Sequence, residues 1–341
     1  MNFSVRGNYS RLFEWWADDD FHRGRPSIDN ADVQRLIASI SPGAQVMDLG
    51  GTMSLNLKLD PAGLVLRVHQ PFVSKQRILA VQEVRRFLSD RGFLVPTAVK
   101  WAKATVLCCG NRWAELEPFL PQERLKPTLE SYIWMFRTMG SLHRILSTID
   151  LALPRPLVAA FASPATLRQR LVVTELAVQS DPETSKIARL LRNLINRLSM
   201  QWIPASRLPS HLVHGDIRLN NICVNQEGKT VYLDFGFLAR RPRIHELAYS
   251  IAFMFLALGG DQSKTWQNIP LLINVYEDAA KTRITQDERK ALIPYAAAVH
   301  LYHAVHDGFK DDPAKSIQQL QTRSAFLRLS EWLLTHCMEQ K

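Results

Sequence analysis

The sequence predicts an α+β protein, with short strands in its first third and helices through most of the remainder. The apolar, β-branched run from Leu64 to Val68 is typical of a strand. The stretch from Ser74 to Asp90 places its apolar side chains at helical spacing. Two further short apolar runs, Ile222 to Val224 and Val231 to Leu233, flank a turn-forming stretch and indicate a β-hairpin.

Residues 1–44 are predicted to form a helical N-terminal extension. The stretch from Ser27 to Ile37 has an Asp/Asn start that can cap a helix, followed by helical periodicity, so we expect a helix that packs on the β-rich part. The first twenty residues lack the apolar core of a secretion signal, because Arg6, Arg11 and three consecutive aspartates interrupt them.

The next stretch, from Val46 to Leu59, reads as a β-hairpin with a corner at Gly50 and Gly51. Glycines and the nearby Ser54 allow backbone amides to approach a phosphate group. Neither a G-x-G-x-x-G pattern nor a G-x-x-x-x-G-K-[ST] pattern occurs, which excludes a dinucleotide-binding fingerprint and a Walker-type phosphate loop.

Two charged side chains follow this corner. Arg67 lies inside the strand, and Glu83 lies in the helix after it. They are either unrelated surface charges or an ion pair of the kind that grips nucleotide phosphates in kinases. Their position ahead of the motif around Asp216 favours the ion pair.

The most informative motif runs from His214 to Asn221 and continues at Asp234, which precedes Phe-Gly. The carboxylate of Asp216 can accept a proton from an attacking hydroxyl, while Asn221 and Asp234 offer a neutral and a charged oxygen to a magnesium ion. The predicted hairpin brings Asn221 close to Asp234, because one precedes its first strand and the other follows its second. The ordered combination indicates a phosphoryl-transfer site.

Read in chain order, these motifs resemble the aminoglycoside phosphotransferase and choline kinase family, the small-molecule branch of the protein kinase-like fold. The resemblance covers about residues 45–255, and His-Gly-Asp in place of His-Arg-Asp points to the small-molecule branch. The matching positions are Gly50, Gly51, Arg67, Glu83, Glu115 to Phe119, Gly140 to His143, His214 to Asp216, Asn221, Asp234 to Gly236 and Glu246 to Tyr249.

The resemblance implies a two-lobed protein kinase-like fold. Residues 45–120 would form a small β-rich N-lobe that binds the nucleotide, and residues 121–341 a larger, mostly helical C-lobe with the catalytic loop and the acceptor-binding helices. It also implies a set of site residues. These are the catalytic Asp216, the magnesium ligands Asn221 and Asp234, and the nucleotide-binding residues Gly50, Gly51, Ser54, Arg67, Glu83 and Glu117.

Two positions depart from the family pattern, and several histidines admit two interpretations. Arg67 stands where the family has lysine, and Arg is a fork-shaped donor that does not simply replace Lys. Glu246 stands where Asp is frequent, and we expect it to support a helix start and not to bind substrate. We interpret His214 as a loop-supporting residue and His143 as a packed helix residue. The set His300, His303 and His306 could bind zinc, but a helix face explains its spacing more simply.

The predicted function is ATP- and magnesium-dependent transfer of a phosphoryl group to a hydroxyl of a small molecule, with GTP as the alternative nucleotide. By resemblance the acceptor is an aminoglycoside-like antibiotic, an amino alcohol, homoserine or a sugar. One alternative is a catalytically weak nucleotide-binding scaffold, supported by Arg67. Another is a kinase for a protein or for an anionic glycan or lipid. The missing Ala-Pro-Glu signal after Asp234 argues against a protein kinase.

The composition fits a globular enzyme of 341 residues with a net charge of +10. Without a nucleic-acid motif we interpret the charge as that of a basic enzyme, and it argues mildly against a polycationic acceptor. The longest apolar run, Leu247 to Leu258, is too short to span a membrane. The cysteines form neither a disulfide framework nor a zinc pattern, so a reducing, cytoplasmic location is expected.

Overall fold

The chain divides into two units in a computed structural model that describes residues 25–51, 54–154, 162–177, 182–306 and 325–336. The first unit takes its residues from Met1–Leu125, Ile149–Val158 and Asn220–Leu238. The second takes them from Lys126–Thr148, Ala159–Leu219 and Ala239–Lys341.

An antiparallel five-stranded sheet, in the order β1-β2-β3-β5-β4, forms the centre of the first unit. In β2, alternate leucines are fully buried and the residues between them are not, as expected when one face of a sheet packs on a core. The register places Arg67 opposite Glu115, so both side chains point to the same face. The strands are β1 (Gln45–Asp48), β2 (Leu55–Asp60), β3 (Leu64–Val68), β4 (Leu107–Cys109) and β5 (Arg112–Pro118).

Helix α1 (Ala31–Ile40) packs on this sheet. It begins after Asn30, whose side chain accepts hydrogen bonds from the amides of Asp32 and Val33 at 2.9 and 3.3 Å. Its buried residues, which join the same core cluster as the leucines of β2, are Val33, Ile37 and Ile40. The extension before the sheet therefore contributes a helix to the first unit.

Helix α2 (Lys75–Ser89) follows β3, with Ser74 as its N-cap. A hairpin of β7 (Ile222–Val224) and β8 (Thr230–Tyr232) completes the first unit. Tyr232 donates its amide to Leu94 at 2.9 Å, and Glu123 pairs with Val224. Because of these bonds the hairpin groups with the sheet, although the sequence placed it within residues 121–341.

The second unit is mainly helical. A short antiparallel pair, β6 (Ser210–Val213) and β9 (Ala239–Pro242), flanks residues 214–238 in the chain. A Cβ atom at Gly140 would lie 2.5 Å from the carbonyl oxygen of Tyr276, so only glycine permits this approach of the helix Leu129–Leu146 to the helix Ile269–Ala280. The helices are α3 (Leu129–Leu146), α4 (Pro164–Ala177), α5 (Pro182–Gln201), α6 (Arg243–Leu258), α7 (Gln262–Gln267), α8 (Ile269–Ala280), α9 (Gln286–His306) and α10 (Ala325–His336).

The observed distribution of elements confirms the predicted α+β class, with a β-rich first part and a helical second part. Within the described ranges, none of the helices combines the length and the apolar character needed to cross a membrane.

Candidate active site

Arg67 is held by carboxylates on two sides within the first unit. Its Nε lies 3.3 Å from Glu117 Oε1, and its Nη1 lies 3.1 Å from Asp234 Oδ1. Burial by itself would lower the pKa of Arg67, but the charges of Glu117, Asp234 and Glu115 raise that pKa above its ordinary value. The guanidinium is therefore a fixed positive charge beside the Asp234 carboxylate.

A second arginine, Arg85 of α2, completes this buried network. Arg85 Nη1 donates to Glu117 Oε1 at 2.8 Å, and Arg85 Nη2 donates to Glu115. Gln82 Nε2 donates to Glu115 Oε2 at 2.9 Å, and His69 Nε2 lies 3.1 Å from Glu115 Oε1. Burial alone would raise the pKa of Glu115, but Arg85, His69 and Arg67 lower that pKa well below its usual range.

The structure corrects the predicted ion pair between Arg67 and Glu83. Glu83 is exposed, and among the residues that the structure describes the carboxylates beside Arg67 come from Glu117 and Asp234. The reason is helical phase. Two residues beyond Glu83, a basic side chain, Arg85, faces the sheet, and the acidic partners come from β5. The strand β5 thus supplies acidic residues to this network, and the helix supplies a second basic residue in place of the expected acid.

We expect the Arg85→Met variant to lose about 3–5 kcal/mol of stability, because the change leaves two carboxylates, Glu115 and Glu117, buried without their strongest partner. Denaturant unfolding of the full chain measures this loss. The matched control is Arg86→Met, which changes the exposed neighbour on the same helix and should stay within about 0.5 kcal/mol of the wild type. Equal stability of the two variants would contradict the buried network.

Side chains of Asp48 and Asn56 form hydrogen bonds with the corner at Gly50 and Gly51, between β1 and β2. The Gly50 amide donates to Asp48 Oδ1 at 2.8 Å, and Asn56 Nδ2 donates to the Gly50 carbonyl at 2.9 Å. A Cβ at Gly51, whose φ is +111°, would lie 2.8 Å from Asn56 Nδ2, so this position requires glycine. A phosphate that used the Gly50 amide would have to displace Asp48.

Arg25 closes the other side of the corner. Its Nε donates to the Ser54 carbonyl at 3.1 Å, and its guanidinium pairs with Asp48. The hydrogen bond from Arg25 holds the pKa of Asp48 below its ordinary value. The predicted phosphate contacts Gly50, Gly51 and Ser54 therefore lie together in one corner, bordered by an ion pair that the sequence did not reveal.

The hairpin places Asn221 and Asp234 side by side, as predicted. Asn221 directly precedes β7, and its carbonyl accepts from the Leu233 amide at 2.8 Å. Asp234 follows with φ +58° and ψ +66°, a left-handed conformation that costs a non-glycine residue about 1–2 kcal/mol. In this conformation the Asp234 carboxylate lies beside Arg67, and the Asp234 side chain is 41% exposed.

Arg77 of α2 fixes the turn that follows Asp234. Its Nη2 donates to the carbonyls of Gly236, at 3.1 Å, and Leu238, and its Nη1 donates to the Pro154 carbonyl at 2.6 Å. Arg77 is buried at 5% exposure, so these bonds are shielded from water. One buried side chain thereby connects α2 to the segment that carries Asp234.

The oxygens of Asn221 and Asp234 fit a magnesium ion. Magnesium takes oxygen ligands and is usually held by one or two protein carboxylates together with substrate phosphates. Among the described residues no group of three or more His, Cys, Asp or Glu side chains is arranged to hold a metal by itself. The Asn221 and Asp234 pair thus suits an ion that arrives with a phosphate ligand. The set of His300, His303 and His306 is described only in part, because the side chain of His306 lies outside the described residues.

In the second unit, Glu246 organises the loop that carries Asp216. Glu246, in the first turn of α6, is fully buried and accepts the backbone amides of His214, at 3.0 Å, and Gly215. His143 Nε2 lies 2.7 Å from the same carboxylate, and His143 Nδ1 lies 2.9 Å from the Tyr276 hydroxyl. Although burial raises the pKa of Glu246, His143 and the loop amides lower it to about 2.

Asp216 itself is 3% exposed and is held at both oxygens. The Tyr249 hydroxyl donates to Oδ1, and Arg218 places its Nε 2.8 Å from Oδ1 and its Nη2 2.8 Å from Oδ2. Burial and the nearby Asp216 raise the pKa of Tyr249 well above its ordinary value, so Tyr249 remains a donor. His214 Nδ1 accepts the Asp216 amide at 3.3 Å, in agreement with a loop-supporting role.

We expect Glu246→Gln to reduce the free energy of unfolding at pH 7 by on the order of 3 kcal/mol, because the lowered pKa of Glu246 means that the folded state stabilises its charged form. A carboxyl group whose folded pKa is lowered stabilises the fold above its ordinary pKa of 4.5, and this contribution is lost as pH falls toward about 2. Urea unfolding at stepped pH should show the two proteins converging over that window. A difference that stays constant with pH would contradict the assignment.

The comparisons with known proteins identify a family for this chain. A family model described as the phosphotransferase enzyme family matches residues 55–281, well over half of the chain. The chain belongs to the phosphotransferase enzyme family. The matched range of this phosphotransferase contains Arg67, Asp216, Asn221 and Asp234. A search of curated protein sequences found no significant match.

Solved structures show the same fold at low sequence identity. The amicoumacin kinase hAmiN, solved with AMP-PNP, Ca²⁺ and Ami, aligns at 13% identity and a TM-score of 0.66 over 90% of this chain and 93% of that one. A microcompartment-associated aminopropanol kinase aligns at 14% identity and a TM-score of 0.68, over 91% of this chain and 98% of that one. The choline kinase LicA from Streptococcus pneumoniae aligns at 14% identity and a TM-score of 0.55, over 91% of this chain and 100% of that one. The predicted family resemblance is confirmed.

Sequence reasoning did not predict the observed contacts of five residues, three in the first unit (Arg77, Arg85 and Glu115) and two in the second (Glu246 and Tyr249). Glu115, Glu246 and Tyr249 carried a visible signal, because each was one of the matching positions. Arg77 and Arg85 gave none, since a buried Arg in a helix cannot be distinguished from an exposed one without knowing which face packs.

Proposed function

We propose that this phosphotransferase is an ATP- and magnesium-dependent kinase that phosphorylates a hydroxyl of a small molecule. The ion pair between Arg67 and Asp234 is the observation that carries the proposal. It unites a phosphate-binding cation with a metal-binding carboxylate from positions 167 residues apart in the chain. Both occupy the positions at which the family pattern has these roles.

In the proposed reaction Arg67 binds the nucleotide phosphates, and Glu117 acts by holding Arg67. Asn221 and Asp234 would hold magnesium, which neutralises phosphate charge when it is bound. Asp216 orients the acceptor hydroxyl and accepts its proton. Tyr249 and Arg218 keep the Asp216 oxygens in one orientation.

We expect Arg67→Met to weaken ATP binding and lower the rate, and Arg67→Lys to keep part of both. Lys retains the charge but loses the fork that contacts Glu117 and Asp234 together. Losing charge-assisted hydrogen bonds costs about 1.5–3 kcal/mol, or roughly 10- to 150-fold in affinity. Isothermal titration with ATP measures this.

The matched control for Arg67→Met is Glu83→Gln. Glu83 is exposed, so the change should leave ATP affinity unaltered. If ATP bound equally well to Arg67→Met and to the wild type, Arg67 would not be a phosphate contact.

A screen of hydroxyl compounds for ADP release, with ATP and magnesium present, tests the function. We expect sustained release with at least one small alcohol.

A thermal-shift series with ATP, with and without magnesium, distinguishes the alternative of a nucleotide-binding scaffold. Magnesium-dependent stabilisation without turnover on any acceptor would favour the scaffold, and the absence of both effects would reject nucleotide binding altogether.

A further inference from the structure

Arg241 of β9 is a buried arginine in the second unit that the proposed reaction does not use. It is 6% exposed, while its neighbour Arg240 on the same strand is exposed. Within the described part of the chain, neither Nη1 nor Nη2 of Arg241 has a hydrogen-bond partner. Burial lowers the pKa of Arg241 to about 10, which still leaves the guanidinium charged at neutral pH.

A buried charge without a hydrogen-bonded partner is costly, and native proteins retain one mainly where function requires it. The nearby carboxylate, Glu246, acts on Arg241 through space, but its hydrogen bonds go to His143 and to the loop amides. Two donor-bearing nitrogens in a water-poor site can bind a carboxylate or a phosphate oxygen pair side by side. The unsatisfied groups of Arg241 are therefore suited to an anion.

The surroundings of Arg241 include the groups next to the catalytic loop. Tyr302 and Tyr249 both act electrostatically on Arg241, and the Tyr249 hydroxyl donates to Asp216. Tyr249 also packs on Phe253, with 4.8 Å between the ring centroids. A molecule held at Arg241 would thus lie on the Tyr249 side of Asp216 within the same unit.

The same region is unfavourable for a cationic acceptor. Two of the rings that could bind an ammonium group already carry guanidinium groups, with Arg170 4.8 Å from the Tyr302 centroid and Arg218 5.0 Å from the Phe253 centroid. In the described residues the adjoining carboxylates, Asp216 and Glu246, are engaged by the tyrosine, the arginine and the loop.

We propose that Arg241 forms the anion-binding subsite of the acceptor, so that the substrate is a small alcohol carrying a carboxylate or phosphate group. The inference rests on the proposed kinase function and narrows its acceptor class. The anionic group binds the guanidinium of Arg241, and the hydroxyl to be phosphorylated binds Asp216. An anionic alcohol differs in charge from the aminopropanol after which the structurally similar aminopropanol kinase is named.

Inorganic phosphate is the first probe, with thermal unfolding of the full chain as the readout. Phosphate stabilises proteins generally by exclusion from their surface, so the difference between variants is the quantity that matters. We expect Arg241→Met to weaken phosphate binding by on the order of tenfold or more, the effect of losing hydrogen bonds to a charged group. Arg240→Met is the matched control and should bind phosphate as the wild type does.

Two further measurements test whether the phosphate effect belongs to an unpaired Arg241. In an Arg67→Met background, which removes phosphate binding by the first unit, the effect of Arg241 should persist. Without phosphate, Arg241→Met should be as stable as the wild type or more stable, because it removes an unpaired buried charge. A clear loss of stability would mean that Arg241 is already satisfied by the protein or by water, and the proposal would fail. If Arg241→Met does not fold, Arg241→Lys should show a partial loss of phosphate binding.

Acceptor selectivity separates this inference from the kinase function. 2-Amino-1,3-propanediol, glycerol, glycerate and glycerol 3-phosphate share a three-carbon skeleton and differ in charge. We expect ADP release with the anionic compounds, and a KM for them that rises at least tenfold in Arg241→Met. Turnover of the amine alone, insensitive to Arg241→Met, would overturn the inference and leave the kinase function intact. Phosphate binding through Arg241 without turnover on any alcohol would reject the kinase function and leave an anion site.

Discussion

Replacing Asp216 with Asn is expected to abolish turnover while nucleotide binding stays intact. Asn has nearly the same shape but cannot accept the proton of the acceptor hydroxyl. The loss of a general base typically slows a reaction by about a hundred- to ten-thousand-fold. ADP release in the presence of the true acceptor measures the rate, and titration with ATP measures binding.

The contacts of Asp216 sharpen this test. In the wild type the Tyr249 hydroxyl and the Arg218 guanidinium both donate to the carboxylate. An Asn side chain accepts through one oxygen only, so Arg218 loses part of its pairing. Unfolding of the variant should therefore be measured beside the kinetics, to show that the loss of rate is not a loss of fold. A rate near that of the wild type would show that Asp216 is not the base.

Replacing Asp234 with Asn is expected to remove the magnesium dependence of ATP binding. Asp234 is the charged member of the predicted pair of magnesium ligands, and metal binding by a neutral amide oxygen is weaker. Asn is a sharper choice than Ala here, because Asp234 has a left-handed backbone that Asn tolerates. Ala would add about 1–2 kcal/mol of strain to the loss of the carboxylate.

The readout for Asp234→Asn is the shift of the unfolding midpoint by ATP, with and without magnesium. Glu227→Gln is the matched control, since it removes a carboxylate from the turn of the same hairpin. It should retain the full magnesium effect. If Asp234→Asn also retained it, the metal site would have to lie elsewhere in the chain.

Local sequence signals were sufficient for most elements of the first unit. The limits of the strand from Leu64 to Val68 agree with the structure, and Ser74 caps the predicted helix. The predicted second hairpin strand, residues 231–233, is observed one residue earlier, as Thr230–Tyr232. These features depend on side-chain spacing and turn residues over short stretches, which the sequence displays directly.

The same local signals could not decide which side chains meet. The helix after β3 was predicted correctly, but the residue expected to contact Arg67 was Glu83, and the one that reaches the buried network is Arg85. Both lie on one helix, two positions apart and so about 200° around its axis. Only packing of α2 against the sheet selects the face, and a sequence with charges on several faces does not reveal that choice.

The sequence by itself determined the phosphotransferase pattern, because catalysis of this kind fixes residue types and their order along the chain. Tertiary structure decided how those residues are held. The Asp234 carboxylate forms an ion pair with Arg67, and the Glu246 carboxylate accepts hydrogen bonds from the loop that carries Asp216. The tertiary structure also leaves both terminal nitrogens of Arg241 buried without a hydrogen-bond partner among the described residues. Such contacts join residues distant in the chain, and burial determines their strength by removing water that would otherwise satisfy each group.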